Sequence, residues 1–209
     1  MEEFLQHIIN GVSLGSIYGL VAIGYTMVYG ILNLINFAHG DVYMMGAFFG
    51  FFFAHWLGLL HSPSLLTLLV VLILAMAACA LLGMTIERFA YRPLRKQPRL
   101  NLLITAIGVS LLLENGGQLI FGADPKVFPE LIQRTTLLSI GNIEISNYQV
   151  IVVSVALSLM MILQFIIYRT KVGKAMQSVS FSHENASLMG IDVDRIIAFT
   201  FVLGSSLAA

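Results

Sequence analysis

Long apolar stretches separated by short polar connections leave this chain one possible solvent. Crossing about 30 Å of hydrocarbon takes about 20 helical residues at about 1.5 Å each. Five stretches suit that length: Ile8–Leu34, Val42–Leu60, Leu65–Ile86, Leu100–Phe121 and Tyr148–Tyr168. A sixth opens at Ile196 and is still apolar at Ala209. Apolar residues make up 58% of the 209 and charged residues 11%, with a mean hydropathy of +0.89. A soluble domain holds about 45–50% apolar and about 25% charged residues, so this chain cannot cover a core in water and must be solvated by the lipid bilayer. The expected fold class is all-α: a polytopic transmembrane helical bundle in one domain over residues 1–209, with five full spans plus a truncated sixth.

Charge narrows the reading further. Eleven acids balance eleven bases, which leaves no basic field to hold nucleic acid. The single cysteine, Cys79, excludes a disulfide framework and a cysteine-based zinc site, and neither metal nor cofactor is expected. No Lys or Arg precedes Arg88, so the first run lacks the basic flank of a cleavable signal peptide and is expected to remain as a span. Arg88, Arg92, Arg95, Lys96 and Arg99 follow the third run, and Arg169, Lys171, Lys174 and Arg195 follow the fifth; only Lys126 and Arg134 lie elsewhere. The positive-inside rule puts those nine bases in the cytoplasm and the N-terminus outside.

Three polar features interrupt the apolar pattern. The cluster Asn33, Asn36, His39, Gly40 and Asp41 is costly in lipid unless it is a surface turn or lines a cavity. A plain cytoplasmic hairpin is one reading. Two facts favour the other, a broken helix near residues 33–41 that lines a translocation path. The stretch carries no Lys or Arg, and the run before it is about 40 Å long as a helix. Glu114 is the second feature, the one acid inside an otherwise clean fourth run. An intramembrane carboxylate suggests a proton relay, an ion site or a partner contact, but structural satisfaction by Asn115, Gln118 or water is the favoured reading. The third is the segment from Gly173 to Ile191, too polar to span and too apolar for a disordered loop. Ala175, Val179, Ala186 and Met189 can share the buried side of short helices broken near Ser180–His183. Such a unit, ending at Gly190, is a knob for another protein to grip. Its few bases argue against a helix resting on lipid.

Glycines at 11, 15 and 19 share a helix face, as do Gly46 and Gly50, and suit close helix packing. No phosphate-binding Gly-x4-Gly-Lys-Ser/Thr loop is present. Gly108-Val109-Ser110 with His39 as base makes a weak serine-nucleophile pattern, so no catalytic residue is expected.

The stretch Gly24-Tyr-Thr-Met-Val-Tyr-Gly-Ile-Leu-Asn-Leu-Ile-Asn-Phe-Ala-His-Gly-Asp-Val-Tyr-Met-Met-Gly46 resembles the opening of the LivH-type permeases of branched-chain amino acid ABC transporters. Ile86-Glu-Arg-Phe-Ala-Tyr-Arg-Pro-Leu-Arg95 is similar to that family's third-span exit, and Leu103-Ile-Thr-Ala-Ile-Gly-Val-Ser-Leu111 to its fourth span. Glu184-Asn-Ala-Ser-Leu-Met-Gly-Ile191 is similar to its cytoplasmic coupling helix. The chain departs from the family where Gln-Asp commonly stands at Phe181-Ser182 and an Arg near Gln177. The resemblance implies a non-catalytic permease subunit of the bacterial inner membrane, forming part of the path for branched-chain amino acids. It implies a LivM-like second permease, two ABC ATPase subunits that hydrolyse ATP, and a periplasmic amino-acid-binding protein as partners. It assigns Gly173, Glu184, Ala186 and Gly190, within residues 173–191, to the ATPase contact. The alternatives are a urea or short-amide ABC permease, and a secondary transporter working without ATPases.

Overall fold

The computed structural model describes the chain apart from residues 1, 33–34, 59–62, 96, 134 and 141–142. Asn33, Lys96 and Arg134 therefore lie outside the described residues. The elements are α1 (Glu2–Leu32), α2 (His39–Trp56), α3 (Leu65–Ile86), α4 (Arg99–Phe121), strands β1 (Thr136–Ile140) and β2 (Ile143–Ser146), then α5 (Asn147–Arg169), α6 (Lys171–Phe181), α7 (His183–Leu188) and α8 (Val193–Ala208). Helix α3 continues through a π-turn, Glu87–Tyr91, and a 3-10 turn, Arg92–Leu94. Among the described residues, four segments are long and apolar enough to cross a membrane: Glu3–Leu32, Leu65–Leu94, Arg99–Phe121 and Asn147–Arg169. The protein is a multi-pass, predominantly α-helical membrane bundle.

Helix α8 forms its centre and packs on α1, α2 and α3. It begins at Asp192, whose side chain accepts from the Arg195 N–H, and buries Ile197, Phe201, Gly204 and Ser205. Small residues set the spacing: a Cβ on Gly24 would stand 2.7 Å from the Gly204 carbonyl oxygen, and one on Gly46 would stand 2.7 Å from the Ala209 Cα. Lipid offers no hydrophobic gain for joining apolar helices, so such close backbone approach supplies the packing. The close backbone approach on α1 is at Gly24; of the regular Gly11–Gly15–Gly19 face only Gly19 is packed, a Cβ there standing 3.1 Å from the Met160 methyl, and nothing comes within 4 Å of a Cβ built at Gly11 or Gly15.

The connection between α4 and α5 carries an antiparallel hairpin, β1–β2, with Ile140 opposite Ile143. The sequence reading did not foresee it. The hairpin is tied to α1: Gln6 donates to the Glu144 carbonyl at 3.1 Å and accepts from its N–H at 2.8 Å. Gln149, reciprocally paired with Ser146 in a capping box, also donates to Asn10 at 2.6 Å. These bonds hold the starts of α1 and α5 together at one end of the bundle, the hairpin end. At the other, basic end, the α3 exit meets the start of α8, and α6 and α7 pack beside the end of α1.

Candidate functional site

The polar stretch after α1 folds back into the bundle. Three contacts give its depth. The His39 Nε2–H donates to the Val21 carbonyl at 3.2 Å, and Val21 lies eleven residues, about 16 Å, before the end of α1. Ser110 Oγ donates to Asp41 Oδ2 at 2.5 Å, and Ser110 stands midway along α4. The Cys79 thiol meets the Val42 carbonyl at 3.6 Å, and Cys79 is midway along Leu65–Leu94. Helix α2 therefore begins at mid-height against three neighbours. Asp41 sits in its first turn, where the partial positive charge of the helix N-terminus favours an anion.

Asn36 lies nearer the basic end. Its Oδ1 accepts from the Tyr91 hydroxyl at 2.7 Å, both side chains being buried, and the Tyr91 ring rests against Phe201 of α8 at 5.3 Å between centroids. Asn36, Ala38 and His39 face the protein, whereas Ile35, Phe37 and Gly40 face outward. Asn36, His39 and Asp41 thus share one re-entrant stretch but turn to three different helices. Ser110, considered in the sequence only as a nucleophile for His39, is instead bound to Asp41.

Glu114 lies one turn beyond Ser110 on the same face of α4. Asn115 is spent on the Leu111 carbonyl of its own helix at 2.7 Å, so it does not satisfy Glu114. Glu114 and Gln118 line a cavity of about 520 Å³ between α2 and α4.

The segment from Gly173 to Ile191 forms α6 and α7, with Ser182 between them accepting from the Asn185 N–H. Its buried face is Gly173, Met176, Val179 and Ala186. Met189, expected on that face, is 80% exposed, and Phe181 and Leu188 are likewise exposed (89% and 82%). Gly173 points inward too: a Cβ there would fall 2.2 Å from the Ile166 and Ile167 carbonyl oxygens. Gly190 adopts φ 80° and closes α7 in a Schellman turn, with the Gly190 N–H on the Ser187 carbonyl at 3.0 Å and the Ile191 N–H on the Ala186 carbonyl at 3.1 Å. His183 Nε2–H donates to the Ile31 carbonyl at 2.8 Å, joining α7 to the end of α1. Glu184 is exposed in the first turn of α7.

A charged cluster beside Asn36 escaped the sequence reading. The Arg95 guanidinium donates to the buried Glu87 carboxylate and, at 2.5 Å, to Asp194 Oδ1. Arg92 holds Asp194 Oδ2 at 2.9 Å. Burial pulls the Arg95 guanidinium below its usual range, while the charges of Glu87 and Asp194 oppose the shift; a guanidinium stays protonated regardless. Four charges thereby clamp the α3 exit to the start of α8. The available signal was an acid followed by Arg at spacings of five and eight residues. Its second acid, Asp194, is 99 residues from Arg95. Among the described residues no group of three or more His, Cys, Asp or Glu is placed to hold a metal.

Residues 7–209 match the family model described as the permease component of the branched-chain amino acid transport system. The high-affinity branched-chain amino acid transport system permease protein BraD of Pseudomonas aeruginosa is 39% identical over 211 residues, covering 99% of this chain and 69% of that protein. LivH of Salmonella typhimurium, similarly described, is 40% identical over 210 residues, 99% of this chain and 68% of its own length. A probable LivH permease of Methanocaldococcus jannaschii is 27% identical over 197 residues, 90% of this chain and 59% of that protein. No solved structure matches. A re-entrant polar stretch inside an apolar bundle, joined to a match along nearly the whole length, makes this chain a member of the family of branched-chain amino acid transport system permease components.

Proposed function

We propose that this chain is a transmembrane subunit of an ABC importer that carries branched-chain amino acids inward across the bacterial inner membrane. Residues 1–209 act as one permease domain, with full crossings by α1, α3, α4 and α5, a fifth made by the re-entrant stretch together with α2, and α8 as a sixth. The N-terminus and hairpin face the periplasm and the basic end faces the cytoplasm. A periplasmic binding protein delivers substrate, a LivM-like permease completes the path, and two ATPases hydrolyse ATP against residues 173–191. The observation that carries this reading is the identity of about 40% along 99% of the chain to permeases named for that transport. It is supported by an α2 that starts at mid-height with Asp41 on Ser110, since a broken helix offers backbone and polar groups where a path needs them. It is supported equally by the exposed Phe181, Leu188 and Met189 on short helices at the basic end.

Mechanically, ATP-driven closure of the ATPases would push on α6 and α7. The His183–Ile31 contact and the charge clamp would pass that motion to α1 and α8, tilting the helices around the polar break between outward- and inward-facing states. The permease itself supplies positioning and gating, with ATP chemistry on its partners.

Proteoliposomes holding this chain, the second permease and the ATPases are expected to take up leucine only with ATP and binding protein. Leucine accumulation by this chain without the ATPases overturns the reading, and uptake of urea in place of leucine moves the complex to another substrate class. In the same vesicles, His39→Ala and Asp41→Asn are expected to lower leucine flux by about tenfold, the loss of about 1.4 kcal/mol in the barrier-crossing state, with ATP hydrolysis persisting. Wild-type flux in both variants returns the stretch to the role of a simple turn.

A further inference from the structure

The cavity between the hairpin-end halves of α2 and α4 is built from two kinds of surface. Its volume is about 520 Å³, within the roughly 300–1,000 Å³ of small-molecule sites. One wall is apolar, formed by Met44, Phe48, Phe51 and Phe128. The polar groups are Glu114 and Gln118 from α4, with Asp124 and Lys126 from the connection that follows. Gly122, at φ 87°, lets that connection leave α4 and turn over α2, where the Phe128 ring lies 3.4 Å from a Cβ built on Gly50. Lys126 Nζ then stands 6.0 Å from the centroids of both Phe51 and Phe52, within the reach of a cation–π contact.

Charge and position along α4 give the cavity its meaning. Among the described residues, Glu114, Gln118, Asp124 and Lys126 make no side-chain hydrogen bond or ion pair, so their polar atoms are uncommitted toward the space they line. Along α4, Ser110, Glu114 and Gln118 are spaced by four and share the face turned to α2. Asp41 on Ser110 therefore lies one turn, about 5–6 Å, below Glu114. The cavity stands directly over the polar start of α2. An acid one turn above Ser110, a cation beside the Phe51 and Phe52 rings and an apolar wall on the same cavity suit one ligand class, a free amino acid with an apolar side chain.

We propose that this cavity is a binding site for the amino-acid zwitterion before it passes the α2 break, with the ammonium at Glu114 and Gln118, the carboxylate at Lys126, and the side chain against Met44, Phe48 and Phe51. The inference rests on the transport reading above and adds a place within the permease itself for substrate. With Asp124, the polar lining carries a net single negative charge, which suits a ligand bearing an ammonium group.

The test uses the assembled transporter in proteoliposomes, with Ala47→Cys as a reporter on the cavity wall. This chain's native thiol, Cys79, is fully buried, so a charged methanethiosulfonate added outside reads position 47 as the labelling of this chain in excess of that in the parent complex with Ala47. Leucine at about ten times its Kd is expected to slow labelling by about tenfold, the occupancy factor for a single site. The amine-free analogue 4-methylpentanoate and the carboxylate-free analogue isoamylamine are expected to protect far less. Adding Glu114→Gln or Lys126→Met is expected to abolish leucine protection. Labelling indifferent to leucine, in vesicles whose parent transporter shows ATP-driven leucine uptake, overturns the site and leaves the transport reading standing. Equal protection by 4-methylpentanoate overturns the assignment of the ammonium. Absence of ATP-driven uptake by the parent transporter is the separate failure of the underlying reading.

Discussion

Replacing Arg95 with alanine is expected to destabilise the bundle by about 3–5 kcal/mol, the range for removing one partner of a buried ion pair. Glu87 is 2% exposed and Arg95 14%, so the substitution leaves a carboxylate buried at the α3 exit with its cation gone. The contact to Asp194 is lost as well, which releases the start of α8, the helix at the centre of the packing. Arg92→Ala tests the assignment by contrast. Its pair with Asp194 is about half exposed on both sides, and such pairs contribute about 0–1 kcal/mol. The double variant Glu87→Met/Arg95→Met is expected to recover most of the loss, because it removes the buried charge together with its partner. Thermal unfolding in detergent measures all three. A midpoint for Arg95→Ala equal to that of the parent protein would show that Glu87 finds solvent or another partner.

Replacing Gly190 with valine is expected to separate ATP hydrolysis from transport. Gly190 holds φ 80°, a conformation in which a β-branched residue is a genuine outlier at a cost of about 1–3 kcal/mol. The Schellman turn that ends α7 would open to relieve it, displacing the exposed Leu188 and Met189. On the proposed reading those exposed side chains, with Phe181, are what the ATPase grips. Leucine uptake per ATP hydrolysed is therefore expected to fall by about tenfold or more, about 1.4 kcal/mol of coupling, while the chain still inserts and assembles. Glu184→Lys is expected to act in the same direction by reversing a charge at the start of α7, where an acid suits the helix end. A normal ratio of uptake to hydrolysis in both variants removes α7 from the coupling role.

How much of this was legible beforehand differs by element. The runs Leu65–Ile86 and Tyr148–Tyr168 reappear as α3 and α5 within about a residue, because hydrophobic length alone selects a spanning helix in lipid. The break between α6 and α7 falls at Ser182, inside the expected Ser180–His183 window, where Ser182 ends one helix and caps the next. The stretch from Gly173 to Ile191 does form short helices, yet its faces were partly misread. Met189 looked like core by spacing, but the chain turns at Gly190 and leaves it exposed. The glycine pattern misled for a related reason. Regular spacing on α1 describes a helix face, whereas the seam forms only where a second small residue, Gly204, arrives from α8. The hairpin at 136–146 depended on Gln6 and Gln149, whose partners are distant in the chain.

The amino-acid order by itself determined that the chain lives in lipid, that several of its segments are long and apolar enough to cross, which polar stretches break the pattern and where the bases gather along the chain. Each follows from local composition weighed against the cost of exposing polar groups to hydrocarbon. Only the tertiary structure decided what those polar groups are for one another: Asp41 with Ser110, Asn36 with Tyr91, Glu87 with Arg95 and Asp194, and Glu114 facing an open cavity instead of Asn115. A buried polar atom must find its partner wherever the fold brings one within about 3 Å. That partner can lie on any helix of the bundle, at any separation along the chain.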